Sequence, residues 1–291
     1  MARRFPETRG AGLGLSVGSP GLGSPKIMTR MSIEFLYGTP QAFLVAGVFL
    51  FLLCASELGY RAGRRRRMYA FKGEGSAMGA LQSASLGQLA LLLGFTFAMA
   101  ASRHSERGEK AAEETNAIGT AQLRSDFLPA GAVAESKALW RAYAQGRLKR
   151  TMTDDNASAD SIVADDGAIR TRLWTAAVQA ARAEPLNAPR ALYVQSVTEA
   201  FDASDRLDSA LRRHVPEPVI MLLLLTGGVA AAALGHGCGM ADYRFSVSQI
   251  SQFIIIALVI GIIVDLDHPV RGLIALDRSP LTRLIDSIPR P

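Results

Sequence analysis

Cysteine is nearly absent from this chain. Of its 291 residues only Cys54 and Cys238 carry thiols, and the long segment between residues 103 and 216 has none. A disulfide scaffold is thereby excluded. Both thiols sit at the ends of hydrophobic runs and fall near the same membrane face of a simple up-down bundle. That placement allows a bridge, although two membrane-embedded small hydrophobes are the simpler reading. Equally absent are the GxGxxG, Walker, HExxH, CxxC and GxSxG patterns, any strand-like alternation and any internal repeat. No nucleophile stands beside a recognisable base. The chain is therefore expected to be no enzyme, with no catalytic residue, metal site or cofactor assigned.

Charge is missing from four windows: Gln41 to Ser56, Ala80 to Ser102, Pro218 to Gly235 and Val247 to Val264. Each approaches the ~20 residues that a helix rising 1.5 Å per residue needs to cross a ~30 Å hydrocarbon layer. The first gains length from Ile33, Phe35 and Leu36 before it. Four membrane helices follow, rather than buried helices of a soluble protein, and the expected location is the cell (inner) membrane as a multi-pass protein.

The formal net charge of +6 carries little meaning for nucleic acid. Residues 1–30 are rich in Gly, Pro, Ser and Arg, lack the apolar run of a secretory signal and are expected to be disordered. Met28 or Met31 is the expected natural start. A chain beginning at Met28 loses four basic residues and one acid, which lowers +6 to +3. No nucleic-acid partner is expected.

The remaining organisation follows from the windows. Residues 31–102 hold the first two membrane helices and the Arg-rich connection "GYRAGRRRRMYAFKGEGSAMG", residues 103–216 an extramembrane domain, 217–268 the third and fourth membrane helices and 269–291 a short tail. The positive-inside rule places Arg61, Arg64, Arg65, Arg66, Arg67 and Lys72 in the cytoplasm, and the middle domain outside it. Arg103, Arg107 and Lys110 after the second window, with Arg206, Arg212 and Arg213 before the third, pull the other way. Contact with lipid headgroups is an alternative role for the arginine cluster.

The middle domain reads as helical. Apolar residues recur at helical spacing around Leu139 and Tyr143, Leu173 and Val178, and Val194, Val197 and Phe201. Breaks fall at Pro129 to Gly131, at "TDDNASADS" and at "EPLNAPR". This predicts about four helices, the first prolonging the second membrane helix and the last leading to the third. The fold class is thus all-α: a four-helix transmembrane bundle with a helical-bundle domain inserted between its second and third helices.

Two polar groups are candidates for function. At one mouth, Glu113 and Asn116, beyond the second membrane helix, meet Asp265 and Asp267 at the end of the fourth, with His104, His214 and His268 nearby. Such a cluster suits an ion pathway or proton relay. The alternatives are headgroup-level or capping histidines, and ordinary helix-end acids paired with Arg124 or Arg271 against an unfavourable macrodipole. At the opposite face Gln82, Ser85 and Gln88 on the second helix, with Ser248, Gln249, Ser251 and Gln252 on the fourth, suggest a wetted vestibule that narrows into apolar walls. Small polar residues that pack membrane helices together are the alternative there, and Gly227, Gly228, Gly235 and Gly239 suit that reading.

The segments "ELGYRAGRR" (57–65), "LLGFTFAMAASR" (92–103), "EETNAIGTAQLRSDFLP" (113–129) and "DLDHPVRG" (265–272) resemble recurring motifs of the bestrophin-like integral membrane proteins of unknown function. The likeness runs in order over about residues 31 to 288. Gln122 stands where an aromatic is expected and His268 where an arginine is. The resemblance implies a distant relation to bestrophins, four-helix pentameric anion channels, whose middle domain is cytoplasmic. It does not bring calcium gating, since no acidic calcium clasp is present. The expected function is an oligomeric channel or transporter for small ions, with the lipid bilayer and further copies of the chain as partners. The other reading is a non-conducting sensor or scaffold whose middle domain binds a partner or ligand.

Overall fold

The computed structural model describes residues 41–66, 74–153, 156–184, 187–244, 246–268 and 274–289. The expected disorder of residues 1–30 lies outside these, as do Arg67, Lys72 and residues 269–273. In chain order the helices are α1 (Gln41–Arg66), α2 (Glu74–Arg124), a 3-10 turn (Ser125–Phe127), α3 (Ala130–Thr151), α4 (Asn156–Ala183), α5 (Ala188–Leu211), α6 (Glu217–Ala241), α7 (Val247–Asp267) and α8 (Ser279–Ser287). No strand occurs among the described residues, and the all-α fold class stands.

Helices α1, α2, α6 and α7 are long and apolar enough to cross a membrane. Their ends carry the expected punctuation. The Ser246 side chain accepts a hydrogen bond from the Gln249 amide and opens α7. Pro218 occupies the first turn of α6, where a missing N–H costs nothing. Asp242 takes the left-handed conformation that closes α6 (φ 61°).

The tightest helix pair in the apolar region is α1 against α6, and glycine makes it. Gly59 and Gly63 of α1 face the backbone carbonyls of Ala232 and His236, while Gly235 and Gly239 of α6 face those of Ser56 and Tyr60. A Cβ at any of the four would strike main chain. Both helices therefore present a glycine every fourth residue to the other, the arrangement that lets membrane helices meet backbone to backbone. Gly227 and Gly228 meet only side chains, those of Leu52 and Leu89 for the first and Phe51 for the second.

Beyond the apolar region α2 continues without a break into the middle domain, where it joins α3, α4 and α5. Pro129 starts α3, and Asn187 caps α5 by accepting from the Arg190 amide at 3.2 Å. The core centres on Trp140, Tyr143, Leu173, Tyr193 and Val197, closed by Ile118 of α2. The segment read as a plain tail adds a further element. Helix α8 lays Leu281 and Ile285 into that same core, and Arg141 of α3 donates to the carbonyls of Ile285 and Ile288 at its end.

Candidate functional site

Where α2 leaves the apolar region, its Arg107 is fully buried and acts as a bracket between three chain segments. Its guanidinium donates to the carbonyls of Ala210 at the end of α5 (3.3 Å), Arg213 in the following turn (2.6 Å), and Leu266 and Asp267 at the end of α7 (3.2 and 3.0 Å). The Asp267 carboxylate lies 3.5 Å from it, accepts from the Val215 amide at 2.9 Å and stands 3.3 Å from His214 Nδ1. A cation at the carbonyl end of two helices is electrostatically favourable and satisfies acceptors that have no partner within their helix. His214 in turn stacks on His268, ring centroids 5.8 Å apart.

The residues expected at this mouth separate into two groups. Asp265 and Asp267 are buried against their own chain, and Asp265 accepts from the Ile274 amide at 3.2 Å. Glu113 and Asn116 lie on the exposed face of α2. Glu113 pairs with Lys110 at 2.9 Å and reaches Arg206 at 3.9 Å, so its carboxyl is held below the usual range chiefly by the lysine hydrogen bond. Asp267 finds its cation in Arg107, whereas Arg124, one of the two expected partners, donates instead to the Leu192 carbonyl.

Glu114, one residue further and among the acids expected near this mouth, turns instead into the middle domain. It is buried and accepts from Arg147 Nε of α3 at 2.5 Å. Arg147 also forms a two-pronged pair with Asp208 of α5 (2.9 and 3.0 Å). Burial lowers the Arg147 pKa, but the Glu114 and Asp208 charges outweigh it and hold the guanidinium above its ordinary value. Tyr143 donates to Ser204 and accepts from Arg170, and burial pushes its phenol up. A second chain, Ser125 to Ser136 to Tyr193, joins the α2 end to α3 and α5 through hydroxyl contacts of 3.0 and 2.8 Å.

At the other end of the apolar region, Gln82 donates to the Ala233 carbonyl of α6 at 2.9 Å, and Ser85 bonds back to Leu81 of its own helix. Gln249 donates to Ser56 across α1 and α7 at 2.7 Å. Gln82 and Gln249 thus join helices to one another. Gln88 remains exposed. Both cysteines are free, Cys54 exposed and Cys238 buried beside Gln249.

One face of α2 is left uncovered by the described residues. Gln88, Leu91, Phe95, Ala98, Ser102, Ser105, Glu109, Glu113, Asn116, Thr120, Leu123 and Phe127 recur at helical spacing and are all exposed. Leu91 and Phe95 are 58% and 67% accessible, which is high for large apolar side chains. The stripe runs from polar, through an apolar stretch, to polar and acidic, and ends on apolar Leu123 and on Phe127 of the 3-10 turn.

No family model and no curated protein matches the chain. Solved structures do. Three crystal structures of a bacterial bestrophin homologue from Klebsiella pneumoniae superpose with TM-scores of 0.58, 0.59 and 0.57 at 16%, 15% and 16% identity. They cover 84–85% of this chain and 95–96% of theirs. At that identity the likeness speaks for the fold. Four apolar helices arranged in this way belong to an integral membrane protein, and the chain shares the fold of the bacterial bestrophin homologue over most of its length.

Proposed function

We propose that the chain forms a homo-oligomeric membrane channel or transporter for small ions, with the exposed stripe of α2 turned toward the symmetry axis. The observation that carries this reading is the stripe itself. A single helix face that exposes Gln88 at one end, Leu91 and Phe95 in the apolar part, and Ser102 through Thr120 beyond has the order of a wetted entrance, a hydrophobic constriction and a polar exit. A lipid-facing surface has no use for its polar half, and a soluble domain has no use for its apolar half. Gly87 and Gly94 of the same helix have no neighbour within 4 Å of a would-be Cβ, so the close approach they permit is left for another copy. Glu109 and Glu113 are the formal charges exposed directly on the stripe among the described residues.

The full-length protein in liposomes, under opposed potassium and chloride gradients, tests this. Flux that falls or changes selectivity when Phe95 is replaced by Ala and when Glu109 and Glu113 are replaced by Gln supports the pathway. Tight liposomes containing folded, inserted protein would instead favour a sensor or scaffold built on the middle domain.

A further inference from the structure

The buried charges between α2, α3, α4 and α5 do not balance. Two guanidinium groups, Arg147 and Arg150 of α3, face three carboxylates: Glu114 of α2, Asp166 of α4 and Asp208 of α5. The surrounding charges pair among themselves, Arg170 with Asp205 at 2.8 Å and Arg212 with Asp160 at 2.6 Å. On the C-terminal side, Arg278 donates to the Thr151 carbonyl rather than to an acid. Tyr143 is the remaining titratable group of the cluster, and its hydroxyl is engaged by Ser204 and Arg170. Among the described residues, the groups in direct ion-pair contact are thus two guanidiniums and three carboxylates, one negative charge in excess.

The surplus falls on Asp166. Glu114 and Asp208 each receive Arg147 N–H groups at 2.5–3.0 Å. Asp166 Oδ2 is buried, accepts no hydrogen bond among the described residues and lies 3.7 Å from the nearest guanidinium nitrogen. The site is also built to hold this carboxyl close. Residue 146 is glycine, and a Cβ there would overlap Asp166 Oδ1. An ionised carboxylate with a buried oxygen that accepts no hydrogen bond is expensive, and it is additionally repelled by two like charges. A proton on Oδ2 removes the surplus.

We infer that Asp166 is a proton-binding site inside the middle domain, and that α4 is held more tightly to α3 and α5 when the carboxyl is protonated than when it is ionised. This assignment stands apart from the ion-pathway reading. Burial, only partly offset by Arg147 and Arg170, pushes this carboxyl up to about 6, which brings its titration close to physiological pH. The unfolded carboxyl titrates at about 3.9. The folded state thus binds the proton more strongly, so the stabilisation is complete below about pH 4 and is lost as pH rises through the folded value.

The full-length protein in detergent or nanodiscs provides the test. Hydrogen-exchange protection of α4 amides, corrected for intrinsic exchange, is expected to fall several-fold between pH 5 and pH 7.5. Asp166→Asn, which mimics the neutral form, is expected to hold its protection and its melting temperature constant over that interval, and to melt above the wild type at pH 7.5. Protection of wild-type α4 that does not depend on pH would overturn the assignment whether or not the variant folds. So would an Asp166→Asn protein with the wild-type pH profile. A midpoint that moves when sodium is exchanged for choline would also overturn it, because the surplus charge would then be matched by a metal cation.

Discussion

The Arg107 guanidinium and the Asp267 carboxylate lie 3.5 Å apart with both side chains 1% exposed, at the point where α2 passes the ends of α5 and α7. A pair so deeply placed is held by its surroundings as much as by mutual attraction. Arg107 satisfies four main-chain carbonyls from two other segments, and Asp267 receives the Val215 amide. The polar seam between membrane bundle and middle domain depends on this one side chain.

Arg107→Ala should therefore cost about 3–5 kcal/mol of stability, the usual loss when one member of a buried pair is removed. Arg107→Lys should recover little of it, because one ammonium cannot reproduce a planar fork that serves carbonyls on opposite sides. Thermal denaturation of the full-length protein in detergent decides the matter; an alanine variant that melts with the wild type sinks the idea.

The glycines of α1 and α6 should separate into two classes. Gly235→Ala drives a methyl into the Ser56 carbonyl, which a packed helix pair relieves only by moving apart, at a cost of about 1–3 kcal/mol. Gly108→Ala on α2 meets nothing within 4 Å and should stabilise the helix by roughly 0.5–1 kcal/mol. Equal melting shifts for the two would refute the contact argument.

Deleting residues 278–291 removes α8 and uncovers the middle-domain core that Leu281 and Ile285 cover. With Ile288, also buried and removed, three aliphatic side chains at about 1.5–3 kcal/mol each give a loss of about 5–9 kcal/mol. Arg141 also loses its two carbonyl acceptors. Limited proteolysis of the middle domain should accelerate; an unchanged cleavage rate would show α8 to be dispensable.

If the α2 stripe lines a pathway, replacing Glu109 and Glu113 by Gln removes its exposed carboxylates and should lower the permeability of cations relative to anions. Reversal potentials in asymmetric potassium chloride report this directly. The variant should remain folded, because both positions are exposed.

The four membrane helices and the breaks of the middle domain could be read from the chain because each rests on local signals: a window without charge, a proline, an Asn cap. The placement of the acids could not be read in the same way. Glu113 and Glu114 are adjacent and chemically alike, yet one pairs with Lys110 at the surface and the other is buried on Arg147. A signal existed: Glu114, Ile118, Ala121 and Ser125 follow one helix face, and all four are buried. The partner of Asp267 was less accessible, since Arg107 lies 160 residues away along the chain. Gln82 shows the other limit. Its spacing with Ser85 and Gln88 suits a polar vestibule and helix packing equally, and only the Ala233 contact shows that it packs α2 on α6. Helix α8 has nine residues, too few for a periodic pattern to stand out from the tail around it.

The unbroken run of α2 has a mechanical meaning. Its 51 residues contain no proline, so at 1.5 Å per residue it is a rod of roughly 75 Å with no joint. Arg107 clamps that rod part-way along its length. A tilt or twist of the middle domain is therefore carried toward Leu91 and Phe95 along one continuous helix that is held at Arg107.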